Sequence, residues 1–198
     1  IFHRPAWLSA VERGTGQRAL GLVAEKSGSI VGWLPLNEIH SPIFGRALAS
    51  SGFAVEGGIL AERSSTVQLL AEAAQELARR HCCPTIELRG GALPLGWSAR
   101  TDSHAGFVAD LAKDDETQLL WIPRKQRAEV RKGLDGDLTV HVGKGREDRD
   151  AHYAVYAESV RNLGTPVFPK ALFAAVLEAL ESDILTIRHR GRPVASVL

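Results

Sequence analysis

Methionine is missing altogether from these 198 residues, so Ile1 is not expected to be the translational start, and a leader removed from in front of it is compatible with the sequence. Cysteine is nearly missing. Cys82 and Cys83 are the only two, and adjacent cysteines neither make a zinc site alone nor close readily on each other, because the ring is strained. Reduced, structural thiols at the junction of a helix and a buried strand are the expectation, which points to a reducing compartment and a cytoplasmic protein. Long apolar runs are missing too, and none approaches the roughly 20 residues that span a bilayer. Neither charge sign is in excess, with 24 Lys and Arg against 23 Asp and Glu, so broad coating of nucleic acid or anionic membrane is not expected. The histidines, His3, His40, His81, His104, His141, His152 and His189, show no metal-ligand spacing, and no metal is expected.

What is present is ordinary for a folded protein: 44% hydrophobic and 24% charged residues, enough chain for one large or two small domains. "HRPAWLSAVERG" has helical spacing with Pro5 suited to a helix start. "ALGLVAEKSGSIVGWLPL" reads as a hairpin turning at Ser27 and Gly28, and "ALASSGF" as the next strand. "SSTVQLLAEAAQELARRH" predicts a helix capped by its serines, with Val67, Leu70, Ala74 and Leu77 on one face and cations at its end. "PTIELRG" then reads as a buried strand and "AGFVADLA" as another.

After Ala112 the pattern restarts. "DDETQLLW" begins a helix, Pro123 starts a second segment, and "DLTVHVG" is a strand. "DRDAHYAVYAESVRNLG" is a helix ending at Gly164, "PKALFAAVLEALES" another entered at Pro169, and "DILTIRHRGRPVASVL" a second hairpin. Setting Gly28 over Gly191 lays "LVAEKS" on "LTIRHR" and "SIVGWL" on "RPVASV", so that apolar positions coincide. Two amphipathic hairpins could align this well by composition alone; the other reading is a tandem duplication.

"WIPRKQRAEVRKGL", residues 121–134, gathers five cations and one acid. On a helix Arg124, Arg127 and Arg131 fall within a stripe about 60° wide, Lys125 and Lys132 sit on another flank, and Ile122, Val130 and Leu134 form the side expected to be buried. One reading is a solvated face with a Lys125–Glu129 pair. The other is an anion clamp, because stacked guanidiniums repel one another unless phosphates or carboxylates lie between them. "SVRNLGTPVF" is the second candidate. It sets Arg161, Asn162 and Thr165 in a tight turn between helices, where they either contact substrate or only cap. "RGGALPLG" and "VGKGRED" lack nucleotide-binding spacing and read as turns. Trp7, Trp33, Trp97 and Trp121 read as core or half-buried packing residues.

"FHRPAWLSAVERGTG", "VGWLPLNEIHSPIFGRALASSGF", "IPRKQRAEVRKGL" and, most specifically, "YAESVRNLGTPVFPKALF" with "DILTIRHRGRPVASVL" resemble the FemAB-like proteins associated with bacterial exosortase and PEP-CTERM systems. The resemblance implies an α/β (α+β) chain of tandem GNAT-like domains, each a mixed central sheet flanked by helices: residues 1–112 as the first, and 113–198 as the front part of an incomplete second. It implies an N-acyltransferase that moves an acyl or aminoacyl group onto an amine of a peptidoglycan- or exopolysaccharide-related acceptor. Aminoacyl-tRNA or acyl-CoA would be the donor co-substrate, with no permanently bound cofactor, and phosphorylated glycan and tRNA would be the partners. A basic helix leading into the second domain is also a family feature, and it makes Arg124, Lys125, Arg127 and Arg131, with Arg161, Asn162 and Thr165, the candidate substrate contacts. In "ALASSGFAVEGGILAERSS" the R-x-x-G-x-G/A spacing of an acyl-CoA loop is absent, and Glu56 and Glu62 bring negative charge, so the first domain is expected to help hold the acceptor rather than CoA. No residue stands out as the catalytic base; Glu158 is the one carboxylate considered. The readings from other classes are a non-catalytic module binding a phosphorylated glycan carrier or tRNA, and a plain CoA-dependent acetyltransferase.

Overall fold

The computed structural model describes residues 1–103 and 105–198; His104 lies outside the described residues. Two compact units emerge, and the chain visits each twice. Ile1–Ala99 with Pro166–Ser182 form the first, and Arg100–Thr165 with Asp183–Leu198 the second.

In the first unit α1 (Pro5–Thr15) leads into β1 (Arg18–Lys26), β2 (Ser29–Ser41) and β3 (Gly45–Ser50), which pair antiparallel in turn. The two-residue β4 (Leu60–Ala61) pairs with the other half of β2, α2 (Ser64–Arg80) crosses back, and β5 (Thr85–Glu87) joins β3 in parallel. Alternation divides the side chains of this sheet between two layers. Leu22, Ala24, Leu34 and Leu36 pack with Val67, Leu70, Ala71 and Ala74 of α2, and Gly32 lies so close that any Cβ would meet Thr66 and Leu70. On the other side Trp33 donates its indole N–H to the His3 carbonyl at 2.8 Å just ahead of α1. Helix α6 (Lys170–Ala179) packs on α1, with Gly14 of α1 directly against the Leu172 backbone.

In the second unit α3 (Asp115–Trp121) and α4 (Arg124–Leu134) precede β6 (Leu138–Gly143). Helix α5 (Arg146–Asn162) follows, and β7 (Ile184–His189) and β8 (Arg192–Val197) complete an antiparallel sheet in the order β6, β7, β8. The hairpins agree beyond their apolar pattern. Ser27 and Gly28 turn with φ of 51° and 78°, and Arg190 and Gly191 with the same 51° and 78°, the positive pair that a type I′ turn requires. Each hairpin also slips register at the equivalent step of its first strand, between Ala24 and Glu25 in one and between Ile187 and Arg188 in the other. Helix α5 covers the side of its sheet that carries Thr186 and Ser196. Leu138, Val140, Val142 and Val197 lie on the other side and are 38–63% exposed. In the aligned hairpins that side corresponds to the one α2 covers in the first unit, and no helix among the described residues covers it here.

Several expectations need correction. Ser64 and Ser65 do not cap α2; they lie inside its first turn and Arg63 takes the cap position. "PTIELRG" yields only three strand residues, none fully buried. "AGFVADLA" forms no strand at all, and Phe107, Val108 and Leu111 stand 83–100% exposed. Periodic apolar character made these segments look like strands, but neither has sheet on both sides to pair with. Trp121 is 57% exposed rather than packed.

Candidate functional site

The basic segment owes its shape to two local devices. Asp114 caps α3 by accepting from the Thr117 N–H at 2.8 Å and the Thr117 hydroxyl at 3.0 Å, and these bonds hold its carboxyl below the ordinary carboxylate value. Pro123 then breaks the helix after Ile122 and opens α4. Arg127 spans the break. Its guanidinium donates to the carbonyls of Leu120 at 2.7 Å and Ile122 at 2.9 Å, supplying the C-terminal carbonyls of α3 with the partners that a helix end lacks.

Arg124, Lys125, Arg127 and Arg131 nevertheless share one side of α4 and, with Ala128, border an open surface depression of about 800 Å³. Arg124, Lys125 and Arg131 are exposed, and their side chains make no hydrogen bond or ion pair with any described residue. The Lys125–Glu129 pair expected from the sequence does not form; Glu129 instead accepts from Lys132 at 3.0 Å. The supposed buried side is not buried, since Val130 and Leu134 are 37% and 68% exposed and Ile122 is only half-buried. Little more than α3 packs on this helix, so its apolar residues have nothing to be buried against.

Arg161, Asn162 and Thr165 are exposed at the end of α5. The backbone alone closes this end: Thr165 N–H donates to Val160 C=O at 2.9 Å and Gly164 N–H to Arg161 C=O at 3.1 Å, with Gly164 at φ 69°, the paired bonds of a Schellman motif. The side chains of Arg161, Asn162 and Thr165 are therefore not consumed by capping. None of the three borders the depression beside α4, so the structure does not gather the two candidate groups into one pocket. Glu158 is exposed on α5.

The sequence reading overlooked a charged cluster in the first unit. Glu38, 9% exposed, accepts from His81 Nδ1 at 2.7 Å and from Arg46 at 3.0 Å. The hydrogen bond from His81 is the main cause holding its carboxyl below the usual value, helped by the charges of His81, Arg46 and Arg18 and opposed by burial. Beside it Asn37 is fully buried and accepts the Gly52 N–H at 2.8 Å. The loop after β3 closes onto Arg89, whose side chain donates to the Ala54 carbonyl at 2.6 Å and whose own carbonyl accepts the Gly58 N–H at 2.8 Å. The alternating strand pattern could have flagged Glu38 as an inward-facing carboxylate, because Leu36 and Leu48 share its strands and are fully buried.

Among the described residues no group of three or more His, Cys, Asp or Glu could hold a metal, and no helix is long and apolar enough to cross a membrane. No protein-family model matches the chain, and no curated protein does. Among solved structures it is similar to the crystal structure of FemX, at a TM-score of 0.61 and 16% identity, over 96% of this chain and 52% of that one. The chain therefore spans about half the length of FemX, and over that span it has a FemX-like mixed α/β fold.

Proposed function

We propose that the protein is an aminoacyltransferase of the FemAB type, transferring an aminoacyl group from aminoacyl-tRNA to an amine of a peptidoglycan-type precursor in the cytoplasm. The observation that carries this reading is the α4 face, where Arg124, Lys125 and Arg131 stand within two helical turns without a counter-ion among the described residues. Arg127 stands three residues after Arg124 and four before Arg131, spacings at which like charges destabilise a helix slightly, and a phosphate-bearing ligand would relieve them through charge-assisted hydrogen bonds. The exposed Arg161, Asn162 and Thr165 would serve as further substrate contacts. In the reaction the acceptor nitrogen forms a bond to the ester carbonyl, the bond to the tRNA oxygen breaks, and the amine proton is lost. Catalysis would come chiefly from positioning and from stabilising the tetrahedral oxyanion.

A further part of the reading is that residues 1–112 and 113–198 descend from one duplicated GNAT-like unit, although the compact units divide the chain differently, with 166–182 in the first. The shared turn angles, the shared register slip and the matching sides of the two sheets support it. The closing of the β3 loop onto Arg89 favours a first unit that takes no CoA-type donor. An exosortase or PEP-CTERM context rests on the sequence resemblance alone.

The test is titration with aminoacyl-tRNA and, separately, with a nucleotide-linked muropeptide, for the parent chain and for Arg124→Ala, Arg131→Ala and Arg127→Ala. Each of the first two substitutions is expected to weaken one of these ligands by roughly tenfold to a hundredfold, the range of a charge-assisted hydrogen bond, and to flatten its salt dependence. Arg127→Ala is expected to lower the melting temperature as well, because it uncaps α3. Absence of binding to either ligand, or binding indifferent to Arg124 and Arg131, would overturn the reading.

A further inference from the structure

The β2–β3 hairpin ends in two adjacent large apolar side chains that no described residue covers: Ile43 is 84% exposed and Phe44 89%. The tip is held in shape, because the Ser41 hydroxyl oxygen accepts the backbone N–H of Ile43 at 3.3 Å and of Phe44 at 3.2 Å. These two side chains are thus presented outward by a fixed turn. The pair is convex, a protrusion beyond the sheet and no part of a groove.

The surroundings are basic. His40 and Arg46 sit opposite each other one step behind the tip, and Arg18 starts β1 opposite Glu38. The C-terminal end of α2 reaches the same pole, as the His81–Glu38 bond shows, and carries Arg79 and Arg80. Four arginines there face three carboxylates, Glu12, which accepts the Ala19 N–H, and Glu38 and Glu76, which are already paired with arginines. The pole keeps a net positive charge around an apolar tip. That combination matches a bilayer with anionic headgroups: the apolar pair enters the boundary between headgroups and acyl chains while the cations stay at headgroup level.

We propose that the Ile43–Phe44 tip is a membrane-surface anchor which seats the first unit on an anionic bilayer. The anchor is independent of the transferase reading, since it uses no residue of α4 or of the 161–165 turn.

The experiment is vesicle sedimentation of the chain with phosphatidylcholine alone and with phosphatidylcholine containing phosphatidylglycerol, for the parent, for Ile43→Ser with Phe44→Ser, and for Arg124→Ala with Arg131→Ala. Binding to the anionic vesicles is expected, with at least a tenfold loss in the tip variant at unchanged melting temperature and no more than twofold loss in the α4 variant. A Phe44→Trp variant should also shift its emission to the blue on those vesicles. The proposal is overturned by no binding, by binding that the tip variant retains, by an unshifted Phe44→Trp spectrum, or by a tip that self-associates without lipid, which would mark it as a protein contact.

Discussion

Gly58→Ala is expected to destabilise the first unit by about 3 kcal/mol, at the upper end of what overpacking costs, and to lower the melting temperature by roughly 10 °C. A methyl group at this position would overlap the carbonyl oxygen of Gly90 and crowd its carbon at 2.7 Å. Both are backbone atoms, so no flexible side chain can move aside. The Gly58 N–H is also committed to the Arg89 carbonyl at 2.8 Å, and Arg89 in turn ties its N–H to the Ser50 hydroxyl at 2.7 Å. Relief by backbone shift would therefore pull on the end of β3. Gly106→Ala is the control, since no described residue lies within 4 Å of its would-be methyl, and it should melt with the parent. Calorimetry of the three proteins checks the claim; a Gly58→Ala protein within two or three degrees of the parent would show that the junction opens freely.

The second large effect is a pH dependence centred on Glu38. Its carboxyl titrates below the ordinary value of 4.5 in the folded protein, so the unfolded chain takes up the proton first. Stability from this group is fully present above that ordinary value and is lost as pH falls through the folded value. Glu38→Gln should cost about 2 kcal/mol near neutrality, the scale of a hydrogen bond to a charged group, because it leaves Arg46 and His81 facing a neutral amide. It should also flatten the fall in stability on the acid side. Urea unfolding from pH 3 to 7 for both proteins measures this. An unchanged acid slope in the variant would assign the fall to other carboxylates.

Helices α1, α2 and α5 were legible because each carries an apolar or capped pattern over at least three turns, and the two hairpins were legible because Gly28 and Gly191 punctuate alternating runs. β5 and residues 105–112 misled for a common reason. Phe107, Val108 and Leu111 have strand-like chemistry, but a strand exists only where a neighbour offers a ladder, and that is a property of the fold. On α4 the periodicity put Arg124, Arg127 and Arg131 in one stripe but set Lys125 on another flank, although it borders the same depression, and it wrongly implied a buried opposite side. The capping role of Arg127 was out of reach, since it depends on Pro123 turning the chain so that a side chain six residues on can reach the Trp121 neighbourhood. The inward position of Glu38 was legible in the strand alternation, but its partners were not, since they come from β3 and from the end of α2, eight and forty-three residues away.

The placement of α6 has a consequence for synthesis. In chain order α6 stands between β6 and β7, yet it belongs with α1. During translation the flank of α1 stays bare until residues near Ser182 leave the ribosome, while β6 waits through the forty residues between Gly143 and Ile184 for its partner strand. At bacterial-scale elongation of roughly 5–20 residues per second that wait lasts seconds. The first unit therefore gains its last helix only just before β7 and β8 of the second emerge, and until then a half-made chain displays the apolar flank of α1 to whatever chaperone meets it first.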